Sequence, residues 1–194
     1  RPRSVEKFKE DLGIHKDDVV VTIVGRLSPE KGHETFLKAA KDILSKKQNV
    51  RFLIVGDGPI GAELRVMAAK LNLNGHVTFT GVRKDMDNIY AVSDLMVNAS
   101  SIEGLPMTIL EAMAAKVALI VTPVGAVPKV IRHGVNGVIF PTGDELGLSK
   151  EICSLINEPS RRESLTERAY QDVCDRFNSA TMVRQYKQIY EQIV

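Results

Sequence analysis

The stretch Val19-Val20-Val21-Thr22-Ile23-Val24-Gly25-Arg26 decides the fold: a run of apolar and mostly β-branched residues that ends in a glycine and a cation. It lacks the polar alternation of a half-exposed strand, as expected of a strand covered on both faces in a parallel sheet. Arg51 to Val55 repeats the pattern, and further strands are predicted at Val77 to Thr80, Leu95 to Asn98, Ala118 to Val121 and Val138 to Phe140. Helical periods lie between them, at Thr35 to Leu44, Leu64 to Leu71, Met86 to Val92, Thr108 to Ala115 and Val127 to Ile131. Strands alternating with helices predict an α/β chain, a Rossmann-like, doubly wound parallel sheet of about six strands. After Asp144 only helical patterns remain, at Leu146 to Ile156, Glu163 to Val173 and Thr181 to Ile193, so extra C-terminal helices are expected.

A chain of 194 residues, 44% hydrophobic and 26% charged, has enough apolar surface for one domain over residues 1–194. Its core is expected over 13–177, followed by a terminal helix over 178–194. The net charge of +2 comes from interspersed charges with no long run of one sign, which argues against a nucleic-acid groove. Cys153 and Cys174 lack the spacing of a zinc or redox motif and are expected to be reduced and half buried. His15, His33, His76 and His133 are scattered, so surface or capping roles are expected and no metal is assigned. No GxxxxGK[ST] sequence occurs, no apolar run approaches the roughly 18 residues of a membrane span, and Arg1-Pro2-Arg3-Ser4 does not resemble a signal peptide. A cytoplasmic location is expected. The chain opens without Met on a short polar helix, and reads as a fragment whose preceding segment has been cut away.

In an open parallel sheet, ligands bind beyond the carboxyl ends of the strands. Those segments read Gly25-Arg26-Leu27-Ser28-Pro29-Glu30-Lys31-Gly32, Gly56-Asp57-Gly58-Pro59, Gly81-Val82-Arg83-Lys84, Ser100-Ser101-Ile102-Glu103-Gly104-Leu105-Pro106 and Thr122-Pro123-Val124-Gly125. Arg26 and Lys31 can neutralise a diphosphate, a helix opening near Pro106 adds backbone N–H groups and a positive dipole end, and a carboxylate can accept the hydroxyls of a ribose. The combination fits a pocket for a sugar nucleotide, with glycines letting the ligand approach the backbone.

Each motif also has a plainer reading. Gly56-Asp57-Gly58-Pro59-Ile60-Gly61 satisfies GxGxxG, but it follows the second strand, and the next strand ends in Thr80-Gly81-Val82-Arg83 without the acidic residue that a nicotinamide site uses. Glu103 and Glu111 resemble the paired acids of a glycosidase. On a single helix, however, eight residues at a 1.5 Å rise would separate their backbones by about 12 Å, beyond the roughly 5 to 9.5 Å of hydrolases. Taken singly, Glu103 is a helix cap, Glu111 a solvated helix position, and Arg26 and Lys31 surface cations.

Together, Gly25-Arg26-Leu27 with Lys31-Gly32, Gly56-Asp57-Gly58-Pro59, Gly81 before a basic turn, and Glu103-Gly104-Leu105-Pro106 through Glu111-Ala112-Met113 resemble the carboxyl-terminal half of a family 4, group 1 retaining glycosyltransferase. The resemblance implies the donor-binding lobe of a two-lobed GT-B enzyme, with the acceptor held by an amino-terminal lobe that this sequence lacks. It implies transfer of a hexose from a UDP-, GDP- or ADP-sugar to a saccharide or lipid-linked acceptor, no metal or other cofactor, and a fragment that binds without transferring. It also implies a place in envelope polysaccharide or lipopolysaccharide assembly, with peripheral association of the full enzyme at the inner face of the membrane. Arg26, Lys31 and Glu103 become the catalytic candidates. Gly25, Gly56, Gly58, Val82, Arg83, Gly104, Leu105, Pro106, Met107, Thr108 and Glu111 join them in binding the donor, Glu111 at the ribose and Val82-Arg83 at the base. The rivals are a sugar-nucleotide epimerase or phosphorylase of the same form, and a non-catalytic nucleotide-sugar binding module. The chain departs from the family pattern at Lys116, Ala118, Ala126 and Lys129, where Gly, Pro, Gly and an acidic residue are usual. The stripe Met182, Val183, Tyr186, Ile189, Tyr190 and Ile193 is expected either to pack on this domain or to cross to the other lobe.

Overall fold

In the computed structural model, which describes residues 4–193, the apolar runs become six parallel strands: β1 Val19–Val24, β2 Val50–Val55, β3 Val77–Gly81, β4 Leu95–Asn98, β5 Ala118–Val121 and β6 Val138–Ile139. Their order across the sheet is β3-β2-β1-β4-β5-β6. The order reverses between β1 and β4, which pair through Val21 with Leu95 and Ile23 with Val97. The helices that follow these two strands pack on opposite faces of the sheet, so a crevice is expected at the strands' carboxyl ends.

The helices are α1 Val5–Asp11, α2 His33–Leu44, α3 Gly61–Lys70, α4 Met86–Val92, α5 Met107–Ala114, α6 Val127–Val130, α7 Glu145–Asn157, α8 Pro159–Arg176 and α9 Ser179–Ile193. Alternate residues of the strands feed opposite faces. Val21, Ile23, Leu95 and Val97 pack with Phe36, Leu37, Leu148 and Ile152 from α2 and α7. Met96, Leu119 and Val121 pack with Ile109, Met113, Ala169 and Val173 from α5 and α8. The unbroken apolar runs therefore follow from a sheet with both faces covered. Phe8 of α1 is buried with Ile14, Val20 and Leu53, so the core reaches upstream of residue 13.

Two details differ from expectation, and a third narrows it. Cys174 is exposed rather than half buried. His33, the first residue of α2, is buried rather than superficial, and neither ring nitrogen has a partner. Met182, Val183, Ile189 and Tyr190 of α9 are all more than half exposed, so these members of the terminal stripe are not covered by the sheet. The side chains of Tyr186 and Ile193 lie outside the described residues.

Gly32 holds the crevice together. Its φ is +72°, and a Cβ there would come within 2.1 Å of the Ala99 carbonyl oxygen at the end of β4. Gly32→Ala should therefore lose about 2–4 kcal/mol, from left-handed strain plus a backbone collision. Gly134→Ala, at φ +74° with nothing within 4 Å, should lose only about 1 kcal/mol. Urea denaturation of both variants checks this, and equal losses would show that the contact with Ala99 does not matter.

Burial, helped by the neighbouring charge of Lys31, pushes the His33 imidazole down to about 4 from an ordinary value of 6.5. Between these values the unfolded chain takes up a proton that the folded chain refuses, so the stabilisation is whole above pH 6.5 and drains away as pH falls towards 4. The folded state should lose about 2 kcal/mol between pH 7 and pH 5. In denaturation curves His33→Leu should remove most of that slope; an unaltered slope would assign it to other groups.

Candidate functional site

The β1 loop turns through a short 3-10 segment, Pro29–Lys31, before α2 begins. This turn docks on the loop after β4: besides the Gly32 contact with Ala99, Ser101 N–H donates to the Glu30 carbonyl at 2.8 Å. Lys31 and Glu103 are thereby brought face to face, with Nζ 2.5 Å from Oε1. Ser100, buried in the same loop, donates its hydroxyl to that carboxylate oxygen at 2.8 Å, and the buried Thr122 hydroxyl donates to the Ser100 carbonyl at 2.6 Å. From the other side Gly125 stacks on the backbone of Glu103 and Gly104, and Ala126 N–H donates to the Gly104 carbonyl. Glu103 is therefore built by the loops of three strands.

Glu103 precedes α5 by several residues and does not cap it. The helix begins at Met107 with Pro106 as its N-cap, has no side-chain cap and carries no acidic residue in its first turn. Its leading N–H groups and positive dipole end are left for an anion. Gly104, on the approach to them, has open space where a Cβ would be.

Arg26 is exposed and, among the described residues, makes no ion pair. It lines a cavity of about 240 Å³ with Gly25, Gly56, Val82, Arg83 and Met86. Val82 is 74% exposed there. The Arg83 guanidinium is forked onto Asp85 at 2.8 and 2.6 Å, which holds the Asp85 carboxyl below its usual range. Met86 also lines a second cavity, about 510 Å³, between α4 and α5, where Glu111 meets Asp87 and Tyr90. The Tyr90 hydroxyl donates to Glu111 Oε2 at 2.6 Å. The structure thus joins Lys31 directly to Glu103, whereas Arg26, Val82 and Arg83 line one cavity and Glu111 another, with Met86 in the lining of both.

The glycines after β2 pack against a neighbouring loop. A Cβ on Gly56 would sit 1.9 Å from the Gly25 carbonyl oxygen, and one on Gly58 would sit 2.4 Å from that of Leu27. At both positions the missing side chain makes room for the β1 loop, and Gly56 also lines the cavity beside Arg26. Nothing in the sequence singles out Ser100 or Tyr90. Ser100 stood beside Ser101 with nothing to separate them, and Tyr90 reads as one more apolar position of α4. Among the described residues, no group of three or more His, Cys, Asp or Glu is placed to hold a metal, and no helix is long and apolar enough to cross a membrane.

Residues 4–172 match the family model described as glycosyl transferases group 1. N-acetyl-alpha-D-glucosaminyl L-malate synthase of Bacillus anthracis is 29% identical over 192 residues, which is 99% of this chain and 50% of that enzyme. HepE of Anabaena, solved in complex with UDP and glucose, superposes with a TM-score of 0.89 at 26% identity, over 98% of this chain and 52% of HepE. The C-terminal domain of the group 1 glycosyl transferase LpcC of Francisella tularensis, solved on its own, has the same fold, with a TM-score of 0.82 at 24% identity over 92% of this chain and 95% of that domain. The chain spans about half the length of the curated relatives it matches. With its six-stranded parallel sheet and crevice at the strand-order reversal corresponding to the carboxyl-terminal lobe of a GT-B fold, the chain belongs to the glycosyl transferases of group 1.

Proposed function

We propose that this chain is the donor-binding lobe of a retaining glycosyltransferase that moves a hexose from a nucleoside diphosphate to a saccharide or lipid-linked acceptor held by a second lobe. The observation that carries the reading is the contact between Lys31 and Glu103 across the reversal of strand order, beside the uncapped start of α5. Cation, carboxylate and helix dipole converge there on a space suited to a diphosphate with a sugar attached. The solved complex of HepE with UDP and glucose supports the same ligand class.

On this reading Arg26 and Lys31 take the diphosphate, joined by the N–H groups of Gly104 to Thr108. Arg26 is free to do so at once, whereas Lys31 must first share or exchange its carboxylate partner. Negative charge grows on the leaving diphosphate as the glycosidic bond breaks, so these contacts strengthen towards the transition state. Removing one contact of this kind typically costs about 2.7–4 kcal/mol of barrier. Glu103, released from Lys31 in part, faces the transferred sugar. Glu111 accepts ribose hydroxyls, and Val82 with Arg83 borders the base. No metal or other cofactor enters the scheme. A role at the inner face of a membrane, in polysaccharide or lipopolysaccharide assembly, belongs to the same proposal.

Calorimetric titration with UDP, GDP and ADP, then with their hexose conjugates, tests the reading. One base should bind well above the others. Glu111→Ala should weaken binding of the preferred nucleotide by about 1.5–3 kcal/mol, the usual worth of hydrogen bonds to a charged group. No measurable affinity for any of the three nucleotides would refute the donor role, and an unchanged affinity in the variant would refute the ribose contact alone.

A further inference from the structure

Tyr90 lies on α4 with its ring in the core, packed among Met96, Ile109, Ala112 and Met113, and is only 5% exposed. A phenylalanine would satisfy that packing equally well, so the core gives no reason for a hydroxyl. The reason lies at the ring's far end, where the hydroxyl reaches the wall of the cavity between α4 and α5 and donates to Glu111 Oε2 at 2.6 Å. Burial first, and then this bond, raises the phenol above its ordinary range, so the hydroxyl stays protonated and keeps donating. Among the described residues, nothing else bonds the Glu111 carboxylate. Glu111 is otherwise an exposed helical glutamate, free to sample several rotamers, and a ligand that binds it has to stop that motion. A carboxylate already held by a rigid aromatic donor spares the ligand that ordering.

We propose that Tyr90 is a positioning residue: by holding Oε2 it fixes the rotamer of Glu111 so that the carboxylate meets the ribose hydroxyls of the donor already oriented. The proposal rests on the ribose role of Glu111 given above and adds to it a residue that touches neither sugar nor base. The consequence concerns discrimination more than bulk affinity. A fixed carboxylate rewards a hydroxyl only where it is aimed, so the native chain should separate ribonucleotides from deoxyribonucleotides sharply. A carboxylate free to rotate should do so poorly.

The test is calorimetry of the native chain, Tyr90→Phe and Glu111→Ala with the preferred nucleoside diphosphate and its 2′-deoxy and 3′-deoxy counterparts, alongside thermal melting. For Tyr90→Phe the ribonucleotide should bind about three- to tenfold more weakly, the span of one ordinary hydrogen bond, and each deoxynucleotide, which keeps one of the two hydroxyls, should lose less. The ratio of ribo to deoxy affinity should therefore shrink. A lower melting temperature with the native ratio intact would show that the hydroxyl serves stability only, and would overturn the proposal. If Glu111→Ala itself keeps the native ratio, the ribose role fails and this proposal with it; if only Tyr90→Phe keeps it, the ribose role stands and the positioning does not.

Discussion

The structure depends on how closely two loops approach where the strand order reverses. The turn after β1 lies so near the end of β4 that no Cβ fits on Gly32, and the backbone of Glu30 accepts a bond from Ser101. Through that contact Lys31 and Glu103, 72 residues apart, are placed at hydrogen-bond distance. Their ion pair is partly exposed, the side chains retaining 25% and 11% of their accessible surface, so it is worth little as a stabilising term. Its importance is geometric. It marks where a cation and a carboxylate are held opposite one another, at the one end of the sheet where helix dipoles also point outward.

A second feature follows from the first. Each glutamate is held by a hydroxyl from a buried or nearly buried residue, Glu103 by Ser100 and Glu111 by Tyr90. Ser100 is in turn fixed by Thr122 at the end of β5, and Tyr90 by the packing of α4 on α5. Carboxylates on loops and helix surfaces usually lose side-chain entropy when they bind, and a hydrogen bond already made in the folded chain reduces that loss. Arg26 and Val82, by contrast, are exposed and, among the described residues, have no such partner.

Much of this was legible in the residues. The strand runs gave β1, β4 and β5 with their observed ends, because a strand buried on both faces leaves an unbroken apolar signature that flanking loops interrupt. The cations after β1 and the glutamates around α5 stood out because charged residues beside strand ends are seldom there for packing. The supporting hydroxyls were not legible. The tyrosine of an apolar helix acquires its meaning from a contact across 21 residues, and the serine, although only three residues from Glu103, is fixed by a hydroxyl 22 residues away, which no local pattern encodes. The glycines were legible as close approaches, but the sequence could not say whether the approaching group was a ligand or another loop. Gly56 and Gly58 meet the β1 loop, whereas Gly104 faces open space.

The departures from the family pattern show how a site is kept when local residues change. Lys116, where a glycine is usual, keeps the left-handed turn at φ +56° despite its side chain, which costs about 1 kcal/mol or more. Its ammonium reaches Glu167 at 2.7 Å and lies 4.6 Å from the Tyr170 ring, both on α8, and these contacts offset part of that strain. Ala126, at the other usual glycine, sits at φ −90°, while Gly125 beside it takes the left-handed conformation and the tight contact with Glu103. Both substitutions thus leave the turns that flank α5 in place. Lys116 bears on the site through the end of α5, which carries Glu111, and Ala126 through its N–H bond to the Gly104 carbonyl.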